Sequence, residues 1–266
     1  MESRIEEAPQ VRWTLGVVTV LALAFIYVPP LYLLLLSFNA GLLPTVPSIT
    51  DLSLKWYVTL LGEQRMLTAL RESLLIGLIT AMCATAVALP AALAFMELRR
   101  GRASWFNFVV FSMFVPGVVQ GLVLSVVFNV AGIRPSMWTV VAGHMLWALP
   151  FAFIVILTNL AMLKRILLLA AHDLGASWPQ TFLHVILPLI RPGVIGAVMF
   201  SFLLSFNEFN RAYYLVGAYD TLPIYMFGVM NAGTSPTIYA LAGGKLLISF
   251  LCVGVALLML RRTARA

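Results

Sequence analysis

Long apolar runs dominate the chain, and short polar stretches separate them. Six runs are long enough to cross a bilayer, where about 20 residues of helix are needed: 13–38, 73–96, 105–130, 138–163, 192–215 and 238–260. Lipid offers the backbone no hydrogen-bond partner, and no alternating barrel pattern is visible, so each run is predicted to be helical. The fold class is therefore an all-α polytopic membrane protein, with six transmembrane helices in one domain over residues 1–266. The stretch 17–24, ending Ala22-Leu23-Ala24, imitates a signal peptide. The apolar run continues through Phe38, a length that suits an uncleaved span.

The polar punctuation sets the orientation. Trp13, Trp105 and Trp138 stand at predicted span ends, where amphipathic rings anchor at the interface. One side of the membrane collects eleven of the 17 Lys and Arg residues, among them Arg99, Arg100, Arg102, Lys164, Arg165 and Arg191. The other side holds Lys55, Arg65, Arg71, Arg134, Arg211 and Lys245. The positive-inside tendency then places both termini and the connections 97–104 and 164–191 in the cytoplasm. The connections 39–72, 131–137 and 216–237 are external. Composition agrees with this picture: 62% of residues are hydrophobic, 10% are charged and the mean hydropathy is +0.99. The net charge of +7 reads as span-end lysine and arginine, and no nucleic-acid partner is implied. Cys83 and Cys252 sit inside apolar runs, where neither a disulfide framework nor a metal site is expected. Prolines interrupt four of the spans, at Pro29-Pro30, Pro90, Pro116 and Pro150, and each tends to kink its helix. No low-complexity tract, soluble domain or internal repeat stands out.

One interruption has internal order. From Ile166 to Leu174 no breaker occurs and Leu and Ala abound, so a short helix is predicted, closed by Gly175 at its C-terminus. Ser177 and Gln180 have capping-box spacing, which starts a second helix from about Trp178 to Leu187, ending before Pro188. Arg191-Pro192-Gly193 then re-enters the membrane. Ala170 and Ala171 leave little bulk on the first helix, so another surface can approach closely.

The run AAHDLGASWPQTFLHVILPLIRPGV resembles the EAA loop of permease subunits of binding-protein-dependent ABC importers. That pattern joins Glu-Ala-Ala to a glycine and then to Ile/Val-x-Leu-Pro. Ala170, Ala171, Gly175, Val185, Leu187 and Pro188 match it, and Leu169 stands where the family has its glutamate. This surface is thereby left to rely more on shape than on charge. Further matches are similar to the spermidine/putrescine-type permeases in order and spacing. They are Val28-Pro29-Pro30, Ser37-Phe38-Asn39, Leu54-Lys55-Trp56-Tyr57, Phe114-Val115-Pro116 with Gly121, His144 with Leu149-Pro150-Phe151, and Ser235-Pro236 with Tyr239-Ala240-Leu241. Gly117 stands where an acidic residue is common. The resemblance implies the type I ABC importer (MetI-like) transmembrane fold in a bacterial inner membrane. It implies a second permease, usually a different chain, a cytoplasmic ATPase dimer and a periplasmic solute-binding protein as partners, beside membrane lipid. Ala170, Ala171, His172, Asp173, Leu174, Gly175 and Ala176 would form the coupling segment seated on the ATPase. The chain contains no GxxxxGK[ST] phosphate loop, so it is read as a transport subunit and not itself an ATPase.

Ionisable residues within spans are weighed separately, because one near the bilayer centre costs roughly 2.5–3.5 kcal/mol on insertion scales. Glu208 and Lys245 each lie seven residues inside expected outer span ends, about 10 Å deep at 1.5 Å per residue. Either Glu208 pairs with Lys245 or Arg211 structurally, or Asn207, Glu208, Asn210, Arg211 and Lys245 line an external gate of the pathway. Phe206, Phe209, Tyr213, Tyr214 and Tyr219 are open to facing a cation or to packing. His144 reads as a neutral interhelical hydrogen-bonder, and His172 and His184 lie apart from any carboxylate cluster. No catalytic residue, metal site or cofactor is expected. The resemblance favours a polyamine as solute. The alternatives are another small solute (an amino-acid derivative, iron or an anion) and, in another class, an ion-coupled secondary transporter.

Overall fold

The computed structural model describes residues 9–43, 45–233 and 235–263. Two of the eleven basic residues assigned to the cytoplasmic side, Arg4 and Arg265, lie outside them. Helices account for almost all regular structure in the described residues, beside one isolated antiparallel bridge between Asn39 and Leu52. In chain order they are α1 (Pro9–Leu36), α2 (Lys55–Leu61), α3 (Gln64–Glu97), α4 (Arg102–Val110), α5 (Gly117–Val130), α6 (Met137–Ala161), α7 (Arg165–Asp173), α8 (Trp178–Thr181), α9 (Leu187–Phe206), α10 (Ala212–Leu215), α11 (Leu222–Asn231) and α12 (Thr237–Thr263). Among the described residues five continuous helical stretches are long and apolar enough to cross a membrane, and a pair bent by 96°, Arg102–Phe114 with Gly117–Val130, passes the same test when taken together.

The chain forms two compact units. One comprises Met1–Gly62 and Ala232–Ile248, and the other Glu63–Asn231 and Ser249–Ala266. Within the first, Tyr57 donates to Ser37 Oγ at 2.7 Å, and Gly243 lies so close to both that a Cβ there would sit 2.6 Å from Ser37 and 2.7 Å from the Tyr57 hydroxyl. The second unit is built on α3, α6 and α9, which pack on one another most extensively. The buried face of α3 is a stripe of small residues: Ala69, Ser73, Gly77, Ala81, Ala84 and Ala88. In lipid no hydrophobic drive separates helix from solvent, so small side chains that let backbones approach supply the packing. Phe153, Ile156 and Ile190 fill the space this leaves.

Three boundaries differ from expectation. The run expected as one kinked span at 105–130 is broken: α4 continues as a tight turn over Phe111–Phe114, and α5 then leaves at 96°. A proline clashes with a helical residue before it, and Val115 takes the extended values φ −83°, ψ 126°. By contrast α1, α3 and α6 run on through Pro29-Pro30, Pro90 and Pro150. The second difference is at Pro188, where the short helix was expected to end. The chain stays helical from Trp178 to Phe206. A wide turn over Phe182–Ile186, closed by Leu187 N–H on the Phe182 carbonyl, takes up the register at the proline that has no N–H to donate. Pro192, expected at the re-entry, also lies inside α9.

The third difference is at the far end of that span, expected to reach Leu215. Helix α9 stops at Phe206. The Asn207 side chain donates to the Leu203 carbonyl at 2.9 Å, and the Glu208 carboxylate accepts from the Arg211 amide at 3.1 Å. The Glu208 side chain thus takes the Arg211 amide, a donor that a continuing helix would use. Residues 207–211 form a turn, followed by the single helical turn α10.

Candidate functional site

Helix α7 and the turn after it form a surface feature set by local chemistry. Gly175 takes φ +79°, a conformation that side chains with a Cβ rarely adopt. Its N–H bonds the His172 carbonyl at 2.9 Å, and the Ala176 N–H bonds that of Ala171 at 3.0 Å. These two bonds are a Schellman closure, which satisfies carbonyls the helix end would leave open. Beyond it, Ser177 N–H and hydroxyl both donate to Gln180 Oε1, at 2.8 and 2.9 Å, using the capping-box spacing. Ala171 is buried against the molecule, whereas Ala170, His172, Asp173 and Gly175 are exposed. So are large apolar side chains: Leu169 is 50% and Leu174 88% exposed. Ala170 to Ala176 therefore stand together on one short, capped, outward-facing element, with Ala176 half-buried.

The second feature is a buried charge cluster. Within the turn 207–211, Glu208 and Arg211 face inward with side chains 8% and 3% exposed, while Asn207 and Asn210 are exposed. Arg211 Nη1 lies 2.9 Å from Glu208 Oε2. Its Nε donates to Gln120 Oε1 at 2.7 Å, and Gln120 in turn donates to the Ser112 carbonyl at 2.5 Å. The guanidinium also lies over the Trp147 ring, 4.8 Å from its centroid, a favourable contact for a delocalised cation. Arg211 thus joins α5, α6 and the break before α5. Of the two pairings expected for Glu208, the one with Arg211 is formed. Lys245 is half-buried in the part of α12 that belongs to the other compact unit.

The break at Pro116 has a purpose in this geometry. It opens α5 with glycines that leave the guanidinium its space. A Cβ on Gly117 would sit 2.9 Å from Arg211 Nη1, and one on Gly121 would sit 3.0 Å from Arg211 Cα. The acidic residue common at position 117 in similar permeases is absent, and the carboxylate that meets Arg211 comes from Glu208 on its own turn. His144 is buried in α6 and pairs through Nδ1 with Ser205 Oγ of α9 at 2.7 Å, an interhelical bond as expected. Beside the charge pair lies an aromatic cluster. Phe209 stands 5.4 Å from Tyr213 and 4.9 Å from Phe227, and Tyr213 stands 5.4 Å from Tyr214. Gln120, Trp147 and Phe227 were not singled out from the sequence. A lone amide inside an apolar run, at Gln120, was the one available signal.

Residues 73–265 match the family described as binding-protein-dependent transport system inner membrane component. The chain belongs to this family. The permease is 29% identical over 240 residues to the spermidine/putrescine transport system permease protein PotC of Escherichia coli K12, with 90% of each chain covered. It is 32% identical over 236 residues to the putrescine transport system permease protein PotI of the same strain, covering 85% of this chain and 83% of that one. Among solved structures it resembles a chain of a bacterial ABC transporter involved in the import of the acidic polysaccharide alginate. The TM-score is 0.73 over 96% of both chains, at 16% identity, a likeness that shows the fold. The permease is a multi-pass inner-membrane component of a binding-protein-dependent transport system, with the MetI-like transmembrane fold.

Proposed function

We propose that this permease forms a translocation pathway with a second, related permease chain, and that the solute is a polyamine such as spermidine or putrescine. A periplasmic binding protein delivers the solute, and a dimer of cytoplasmic ATPases drives the cycle. The observation that carries the solute class is the shared naming of relatives aligned over most of the chain. Glu208 is neutralised by Arg211, so the charge cluster adds no support for a polycation, and what this region offers one is the aromatic faces of Phe209 and Tyr213.

Helix α7 is the coupling helix in this reading. The segment Ala170 to Ala176 seats in an ATPase groove through its exposed residues, and closure of the two ATPases draws the coupling helices together. The rigid closure at Gly175 transmits that displacement to α8 and α9, because the helical path onward to Phe206 has no loop. Asn207, Glu208, Asn210 and Arg211 then act at the external mouth, where the turn that ends α9 is tied to α5 and α6 through Gln120 and Trp147.

The test is uptake into proteoliposomes that hold the complete importer, with ATP inside and the binding protein outside. Labelled spermidine should accumulate only with ATP. Uptake driven by an ion gradient without ATP would overturn the mechanism. A cognate binding protein that binds no polyamine would overturn the solute and leave the coupling assignment standing.

A further inference from the structure

At the end of α3 the second unit holds a cavity of about 690 Å³ that neither the coupling surface nor the charge cluster uses. This is the size of a small-molecule site, where volumes run ~300–1,000 Å³. Its walls are divided by chemistry. Pro90, Leu93, Ala94, Leu160, Leu163 and Leu168 line the apolar part. Arg99, Arg102 and Arg165 line the other end, with Glu97 as the acid among them. Three guanidinium groups against one carboxylate leave an excess of positive charge. Arg102 is held by the Leu98 and Met96 carbonyls, at 2.6 Å each, and lies over the Phe95 ring at 5.7 Å. Arg99 and Arg165 make no ion pair among the described residues. The site therefore has one anchored cation and two with donors to spare.

Depth decides what fits. From Arg99 to Pro90 the lining descends nine residues of chain, mostly helix α3, or about 13 Å at 1.5 Å per residue. A free phosphate matches the arginines but gains nothing from an apolar cleft of that length. An acyl chain matches the cleft but not the arginines. A molecule with an anionic head and a hydrocarbon tail matches both. The arginines belong to the Lys/Arg-rich side of the chain, and basic pockets between helices on that side suit anionic head groups. Beside the cavity, Trp105 and Phe108 are exposed and stack at 6.3 Å, as side chains at a lipid interface do.

We infer that this cavity is a binding site for one anionic glycerophospholipid, its phosphate held by Arg99, Arg102 and Arg165 and one acyl chain lying along Leu93, Ala94, Leu160 and Leu163. The head group then bridges the turn between α3 and α4 to the first residue of α7. The lipid thus steadies the coupling helix where it leaves the membrane.

The experiment is lipid retention by the assembled importer, read by native mass spectrometry as phosphatidylglycerol is titrated against phosphatidylcholine with the same chains. The wild type should prefer phosphatidylglycerol, and the double variant Arg99→Gln/Arg165→Gln should lose roughly 25-fold in that preference, from about fivefold for each of two basic residues near a membrane surface. Both arginines are exposed, so the double variant keeps its packing. Arg100→Gln, on the same turn but outside the cavity lining, should keep the preference. Ala94→Phe fills the apolar cleft and should displace the lipid without touching a charge. Unchanged preference in the double variant, an equal loss in Arg100→Gln, full retention in Ala94→Phe, or displacement of the lipid by millimolar inorganic phosphate would each overturn the inference.

Discussion

Removing Arg211 while leaving Glu208 tests the buried charge cluster most sharply. Arg211→Met keeps much of the volume but deletes the partner 2.9 Å from the Glu208 carboxylate, the donor to Gln120 at 2.7 Å and the cation over Trp147. With both side chains under a tenth exposed, water cannot replace what is lost. Breaking a buried pair from one side costs about 3–5 kcal/mol, because a charge stays behind unpaired. Glu208→Gln alone strands the guanidinium and should cost a similar amount, softened by Gln120. The double variant Glu208→Gln/Arg211→Met strands no charge. It should recover most of the loss, since replacing a buried ion pair as a whole is often near neutral. Thermal unfolding of the purified importer, followed by size-exclusion chromatography after heating, reads this as a drop on the order of 10 °C for each single variant and much less for the double. A double-mutant cycle then gives the coupling directly. Losses that simply add would refute the reasoning, because they would mean that the two charges do not depend on each other.

The remaining predictions concern the surface features. Gly175→Val places a β-branched residue at φ +79°, which costs roughly 1–2 kcal/mol and tilts the end of α7; ATP hydrolysis should persist while uptake falls, measured together in one proteoliposome preparation. Leu169→Glu restores the acid usual in similar permeases and should leave ATPase affinity within a few-fold, whereas Leu169→Ala should weaken it about tenfold through lost apolar burial, measured by titrating the ATPase against the immobilised permease. Arg65→Gln breaks the 2.7 Å pair with Asp220, but with the arginine side chain 74% exposed solvent screens the pair, and the same unfolding assay should show a shift of at most a few degrees.

The features legible in the chain are those decided over a few neighbouring residues. Helix α7, expected from Ile166 to Leu174 and found from Arg165 to Asp173, needs only a breaker-free run and a glycine. Its closure follows from six consecutive residues, because the bonds it makes reach no further than Ala171 to Ala176. The spans are legible for a related reason: lipid leaves an apolar run no backbone solution other than helix. Pro116 and Pro188 show where local reasoning stops. Both are prolines in or beside helical runs, yet one breaks its span by 96° and the other is absorbed by a wide turn. The clash with the preceding residue is common to both, and what differs is the surrounding packing: the glycines that open α5 after Pro116 lie against Arg211, distant in the chain.

The same division holds for chemistry. By itself the sequence determined that this is a helical membrane protein with a short, capped element between two spans, since hydropathy and capping act along the chain. Only the tertiary structure decided that Glu208 pairs with Arg211, that Gln120 and Trp147 complete the cluster, and that Arg99, Arg102 and Arg165 share one cavity. Electrostatic partners are chosen by distance in space, and within a bundle that distance is set by which helix faces interlock.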